Sequence, residues 1–220
     1  MTREHTLERG LAVAVIAVCL ALAGCATIYY SVWEKLGWEK RDLLRDDIEA
    51  VQKEQKEVGE QFTSALEKIR TIYGMKDGSL EEQYDALRAE YEAADSRAGK
   101  LRARINAVEE VAGDLFTEWE RELGEITDTG LRAKSRHQLE QTRKRYALLA
   151  KAMHRSEQSV EPVLTKLKDH VLFLKHNLNA QAIGSLEGEV TSIEEDVSQL
   201  VADLQASIEK SDEFIKQLPN

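Results

Sequence analysis

The sequence predicts an all-α fold, an elongated up-down-up-down antiparallel four-helix bundle, or coiled coil, of long helices. Three observations carry that prediction. Apolar residues recur at steps of four and three through four long segments, the mark of a helix that buries one seam. Short clusters of Gly, Asn, Asp and Ser punctuate the segments. The seams of consecutive segments also match in register, as antiparallel neighbours must. Composition agrees. The 220 residues hold two prolines and two cysteines, with 42% hydrophobic and 32% charged residues. No run alternates as a sandwich or barrel strand would. Two cysteines exclude a disulfide-dense scaffold, and the apolar share is too high for simple disorder.

In chain order, residues 1–24 read as a signal peptide, 25–30 as a lipidated tether and 31–220 as the bundle domain. Arg3 and Arg9 lie in a polar start, Leu11 to Leu22 carry no charge, and Leu22-Ala23-Gly24-Cys25 closes the run. A charged start, a short apolar core and small residues are the pattern of a secretory signal. The ending resembles the lipobox of bacterial lipoproteins. Cleavage after Gly24 then leaves Cys25 as the lipid-bearing N-terminus, and the first expected partner is the lipid bilayer. Several acyl chains anchor stably where one does not. Cys19 leaves with the signal, so the mature chain keeps no free thiol. Ala26 follows the cysteine. By resemblance to lipoprotein sorting rules, the lack of Asp there directs the protein to the outer membrane, facing the periplasm. The alternative is an inner-membrane protein with an N-terminal spanning helix. Between Arg9 and Glu34 lie 24 uncharged residues, and about 20 suffice to span. Gly24, Thr27, Tyr29, Tyr30 and Ser31 dilute the second half of that stretch.

The four seams follow. The first runs from Leu44 through Ile48, Val51, Gln55, Val58 and Phe62 to Ile72, with Gln55 its one polar member. The second runs from Leu80 through Leu87, Tyr91, Ala98, Ile105 and Ala112 to Trp119. The third runs from Leu139 through Tyr146, Met153, Val160 and Leu167 to Leu178, and the fourth from Ile183 through Ile193, Leu200 and Phe214 to Leu218. In the third, Val160 to Leu164 is a second successive step of four, with Pro162 inside it. Proline removes a helix hydrogen bond, which predicts a local bend and not a helix end, because the seam resumes at once.

Tyr73 to Ser79 predicts a loop, with Ser79 and Glu82 spaced as a capping box. Thr127-Asp128-Thr129-Gly130 predicts a second turn, and His176 to Gln181 a third, with Asn179 as an N-cap. In an antiparallel pair, facing residues have a constant sum of sequence numbers. Segments one and two match at 153 (Ile69 with Tyr84, Phe62 with Tyr91), two and three at 258 (Trp119 with Leu139, Ile105 with Met153), and three and four at 360 or 361 (Leu174 with Leu186, Val160 with Leu200). Helices of about 40–45 residues are about 60–68 Å long. If Cys25 is in the membrane, the start of the first helix, the turn near Gly130 and Asn220 lie at the proximal end. The loops at 74–79 and 176–181 lie at the distal tip.

Charge fits this arrangement. The whole chain carries a formal charge of −10. Residues 131–178 hold 11 Lys+Arg and four Asp+Glu, whereas 75–130 and 179–220 are acidic. A basic third helix between acidic neighbours reads Arg143-Lys144-Arg145 as internal charge matching. An acidic chain has no basic footprint for nucleic acid, so none is expected as a partner.

No phosphate-cradling loop, nucleophile elbow or H-E-x-x-H helix occurs. A di-iron bundle needs Glu-x-x-His on facing helices; His137-x-x-Glu140 and His154-x-x-Glu157 run in reverse order and read as surface pairs. No catalytic residue, metal ligand or cofactor is therefore assigned. The one unusual polar cluster is Lys175-His176-Asn177-Leu178-Asn179-Ala180-Gln181. It reads either as a capped helix–helix turn or as a contact patch on a rigid scaffold.

Certain stretches resemble a known family. These are Tyr29-Tyr30 with Glu34, Gly37 and Lys40-Arg41-Asp42; Glu161-Pro162-Val163-Leu164; and, above all, Val171-Leu172-Phe173-Leu174-Lys175-His176-Asn177-Leu178-Asn179-Ala180-Gln181-Ala182-Ile183. They are similar to the bacterial domain-of-unknown-function 2959 lipoproteins of Gram-negative bacteria, over essentially the whole mature chain. The resemblance implies a secreted, largely helical protein and brings no established activity.

These readings lead to the expectation of a lipid-anchored cell-envelope protein, a non-enzymatic helical spacer or adaptor. Its membrane-distal tip (Asp77, Lys175, His176, Asn177, Asn179 and Gln181) would meet an unknown envelope protein or the cell wall. The alternative is a small-ligand binder or enzyme using the polar tip, with His176 as acid or base. Homo-oligomerisation through charged helix faces is a third expectation.

Overall fold

A computed structural model describes residues 40–74, 80–177 and 187–218. They form five α-helices: α1 Lys40–Gly74, α2 Leu80–Glu125, α3 Thr129–Gln158, α4 Val160–His176 and α5 Glu187–Gln217. No strand occurs among the described residues. The fold is an all-α bundle of four long helical segments, α3 and α4 together making the third. The 46 residues of α2 make it about 69 Å long at 1.5 Å per residue.

The seams are the core. All nine seam positions of α1, from Leu44 to Ile72, are buried, the polar Gln55 included. On α2 the aliphatic members from Leu87 to Leu115 are buried; Tyr84, Tyr91 and Trp119 are half-buried, their large rings reaching the rim. On the third segment the seam residues from Leu139 to Leu174 are buried except the half-buried Tyr146, and so are those from Ile193 on α5 to Leu218 just past its end. Seam positions Leu80, Leu178, Ile183 and Leu186 lie outside the residues whose side chains are described.

The registers hold across each interface. Between α1 and α2, Gln61 donates to Glu90 at 2.7 Å and Arg97 pairs with Glu54 and Glu57. Between α2 and α3, Trp119 donates to Ser135 at 2.9 Å, and Arg102 pairs with Glu157 at 2.8 Å. Between the third segment and α5, the rings of Tyr146 and Phe214 meet edge to face at 5.9 Å and Lys166 pairs with Asp196. The numbers in these pairs sum to 151–154, 254–259 and 360–362, bracketing the registers read from the seams. The bundle closes between α1 and α5, where Arg70 pairs with Glu194 at 2.7 Å.

The third segment departs from the expectation of one bent helix. Helix α3 ends at Gln158 and α4 starts at Val160. Ser159 between them keeps right-handed helical angles (φ −72°, ψ −12°). The cause is Pro162, which has no N–H for the Gln158 carbonyl and whose ring crowds it. Ser159 adds a second perturbation, its hydroxyl donating to the Ser156 carbonyl at 2.9 Å; back-bonding of this kind bends helices. Side chains on both sides stay buried, which is why the seam, though it shifts phase there, reads as a bend and not as a helix end.

The turn between α2 and α3 is Ile126 to Asp128; it starts one residue and ends two residues earlier than the sequence suggests, Thr129 and Gly130 being already helical. Asp128 is the N-cap, its carboxylate accepting from the Leu131 N–H at 2.7 Å, while the Arg132 guanidinium donates to the Ile126 carbonyl at 2.8 Å.

Candidate functional site

The sequence places its candidate contacts at the end where α1 stops and α4 stops. Helix α4 is closed there by Asn177, whose backbone N–H and side-chain Nδ2 both donate to the Phe173 carbonyl, at 3.0 and 3.1 Å. The C-terminal carbonyls need such donors. Lys175 and His176 lie in the last turn, where positive charge suits the helix dipole, and both are exposed. Asn177 is thus occupied as a cap, while Lys175 and His176 present their side chains to solvent. Asp77, Asn179, Gln181, the Ser79 cap, the cleavage position Gly24 and the lipidation position Cys25 lie outside the described residues.

The interior holds a polar layer. The Gln55 amide donates to the Ser156 and Ser207 hydroxyls at 2.9 and 2.8 Å. Ser156 donates onward to the Met153 carbonyl, and Ser211 to the Ser207 carbonyl. The layer joins α1, α3 and α5 at one level. Its carbonyl acceptor, Gln55 Oε1, is buried without a hydrogen-bond partner. Gln55 also borders a groove of about 490 Å³ between α1 and α5, whose walls include Gly59, Thr63, Val201, Leu204 and Ile208. The seam pattern shows each polar exception separately. That they meet requires three registers combined.

Between α2 and α3, His154 sits among carboxylates. Its Nε2 is 2.6 Å from Glu109 and its Nδ1 is 3.4 Å from Glu157. Burial, the largest single influence, lowers the imidazole pKa, but the hydrogen bonds and charges of Glu109 and Glu157 together outweigh it, and the net shift is upward. The spacing His154-x-x-Glu157 gave the local pair. Glu109, 45 residues away, was not singled out.

Farther along the same seam, Tyr146 stacks edge to face on Phe116 at 5.5 Å and on Phe214. Its hydroxyl is buried without a partner. Burial, followed by the charge of Glu109, pushes its pKa well up. Arg143 lies 5.4 Å over the Phe116 ring and pairs with Glu120.

Charge matching of the basic third segment is only partial. Arg143 pairs with Glu120, Arg155 with Asp203 and Lys166 with Asp196. The neighbouring Arg145 reaches only the Thr142 hydroxyl, and its Nε is buried and unpartnered.

Among the described residues no group of three or more His, Cys, Asp and Glu side chains gathers as a metal site. None of their helices is long and apolar enough to cross a membrane. The polar groups described above bond between helices and cap α4. No curated protein and no solved structure matches the chain. The family model described as "Protein of unknown function (DUF2959)" matches residues 29–218, nearly the whole helical region and the motif that ends α4, and the chain belongs to that family.

Proposed function

We propose that the chain is a lipid-anchored envelope protein that serves as a non-enzymatic spacer or adaptor, tethered through Cys25 and contacting a protein or cell-wall partner at the far end of the bundle. The observation that carries this reading is the register. Cross-helix bonds recur from Trp119–Ser135 near one end to Arg70–Glu194 near the other, so the ends of the helices are held a fixed distance apart. Fourteen residues of chain separate Cys25 from the start of α1, and the opposite end carries the exposed Lys175 and His176. Loops and ends on a rigid scaffold are common sites of binding. The lipobox-like Leu22-Ala23-Gly24-Cys25 supplies the tether.

The test is site-specific photocrosslinking from position 77 or 179 in membranes. The proposal expects one discrete adduct that position 100, mid-helix on α2, does not give. If substitutions at Asp77, Lys175, His176 and Asn179 leave every adduct and every envelope phenotype unchanged, the adaptor role is wrong.

A further inference from the structure

On α3, Lys144, Leu148, Lys151 and Arg155 follow at steps of four, three and four, which places them in one row. All four are exposed. Leu148 is 62% exposed and borders a groove of about 180 Å³ whose walls include Leu149, Phe214 and Glu213. Arg155 bridges to Asp203. These contacts fix the row on the α5 side of α3. Among the described residues Lys144 and Lys151 have no ion-pair partner. Running antiparallel on α5 is a second exposed row at the same steps, Ala202, Ala206, Glu209 and Glu213. Helix α3 carries eight Lys+Arg against two Asp+Glu, a net of +6, and α5 two against nine, a net of −7.

We propose that this face joins two copies of the chain about a two-fold axis parallel to the helices. That axis lays α3 of each copy over α5 of the other, an isologous contact. It preserves level along the helices, so the register that sets Tyr146 beside Phe214 also holds between copies. Lys151 then meets Glu209 of the partner subunit. Leu148 of each copy sits beside the axis and covers the other, and the alanines let the helices approach. The other in-plane two-fold axis sets the basic row against itself and repels, so charge complementarity selects the first. The chosen axis keeps both copies pointing the same way, as two chains tethered at one end require. The contact does not depend on the tip.

The test uses the full chain in membranes carrying Leu148→Cys, oxidised mildly, with the parent chain and its own Cys19 and Cys25 as the blank. The expected product is a disulfide-linked species of twice the chain mass. Leu172→Cys on α4, also exposed, should stay at the blank level. Lys151→Glu should lower the yield of linked Leu148→Cys several-fold, and adding Glu209→Lys should restore it. Both cysteine positions are exposed, and unchanged helix content and melting verify that each variant folds. Absence of the linked species, equal linking from Leu172→Cys, an adduct of another mass, or failure of the charge swap to restore the yield overturns the proposal.

Discussion

The amide of Gln55 in α1 donates to the hydroxyl of Ser207 in α5 at 2.8 Å in the interior of the bundle, 152 residues apart in sequence. Ser156 accepts from the same amide, while Gln55 Oε1 finds no partner. A buried unsatisfied acceptor costs about 1–3 kcal/mol, and removing all members of a polar cluster costs less than orphaning some of them. Gln55→Ala should therefore lower unfolding stability by about 2 kcal/mol, leaving a void and taking the Gln55 amide from the Ser207 hydroxyl. The combination Gln55→Leu, Ser156→Ala and Ser207→Ala should be at least as stable as the parent. Urea titration of the three proteins decides it. A triple variant as weak as Gln55→Ala would show that the layer itself is stabilising.

Tyr146 places a hydroxyl where no partner reaches it and a ring where two others do. Tyr146→Phe keeps the edge-to-face contacts and removes the orphan, so stability should hold or rise by up to about 1 kcal/mol. Tyr146→Ala should cost about 3–5 kcal/mol, the range for a truncated core aromatic. Thermal melts of both variants measure the difference. A Phe variant that loses stability would mean that the hydroxyl is satisfied in solution.

His154 links stability to pH. Its folded pKa is raised above the unfolded value near 6.5. Its contribution is therefore fully present below about pH 6.5 and lost as pH rises through the folded value. The side chain is 42% exposed, so solvent screening should hold the effect to about a few tenths of a kcal/mol. Melting temperature should fall slightly from pH 6 to pH 8, and His154→Gln should remove that component of the slope. An identical slope in the variant would refute the link.

Gly59 lies inside α1 and faces Leu204. A methyl added there would meet the Leu204 Cδ1 at 3.6 Å, an ordinary contact. Gly59→Ala should raise stability by about 1 kcal/mol through helix propensity. A loss in denaturant titration would indicate that α1 and α5 pack more tightly than that contact allows.

The fold was legible because burial follows a seam. Every α1 seam position from Leu44 to Ile72 is buried, and Arg102 meets Glu157 at a sum of 259, one from the 258 read for that pair of segments. The break at Ser159 was legible in place, from the phase shift and Pro162, but only as a bend, since side chains on both sides of it stay buried and the backbone alone responds to Pro162. Of the candidate tip, Lys175, His176 and Asn177 are described; Asn177 caps α4, whereas Asn179, the residue read as an N-cap, lies outside the described residues. Glu109 beside His154 and the Gln55 layer were missed, because pairwise seams do not say which polar side chains arrive at one level. Arg143-Lys144-Arg145 read as charge matching throughout, but Arg143 alone of the three makes an ion pair among the described residues.

The proposed tether depends on one atom, the sulfur of Cys25. Membrane fractionation of cells expressing the parent chain and Cys25→Ser tests it most directly. The account predicts that the parent sediments with membranes and that the Cys25→Ser chain does not. A Cys25→Ser chain that stays in the membrane fraction after alkaline washing would contradict the lipid tether and point to a spanning N-terminal segment.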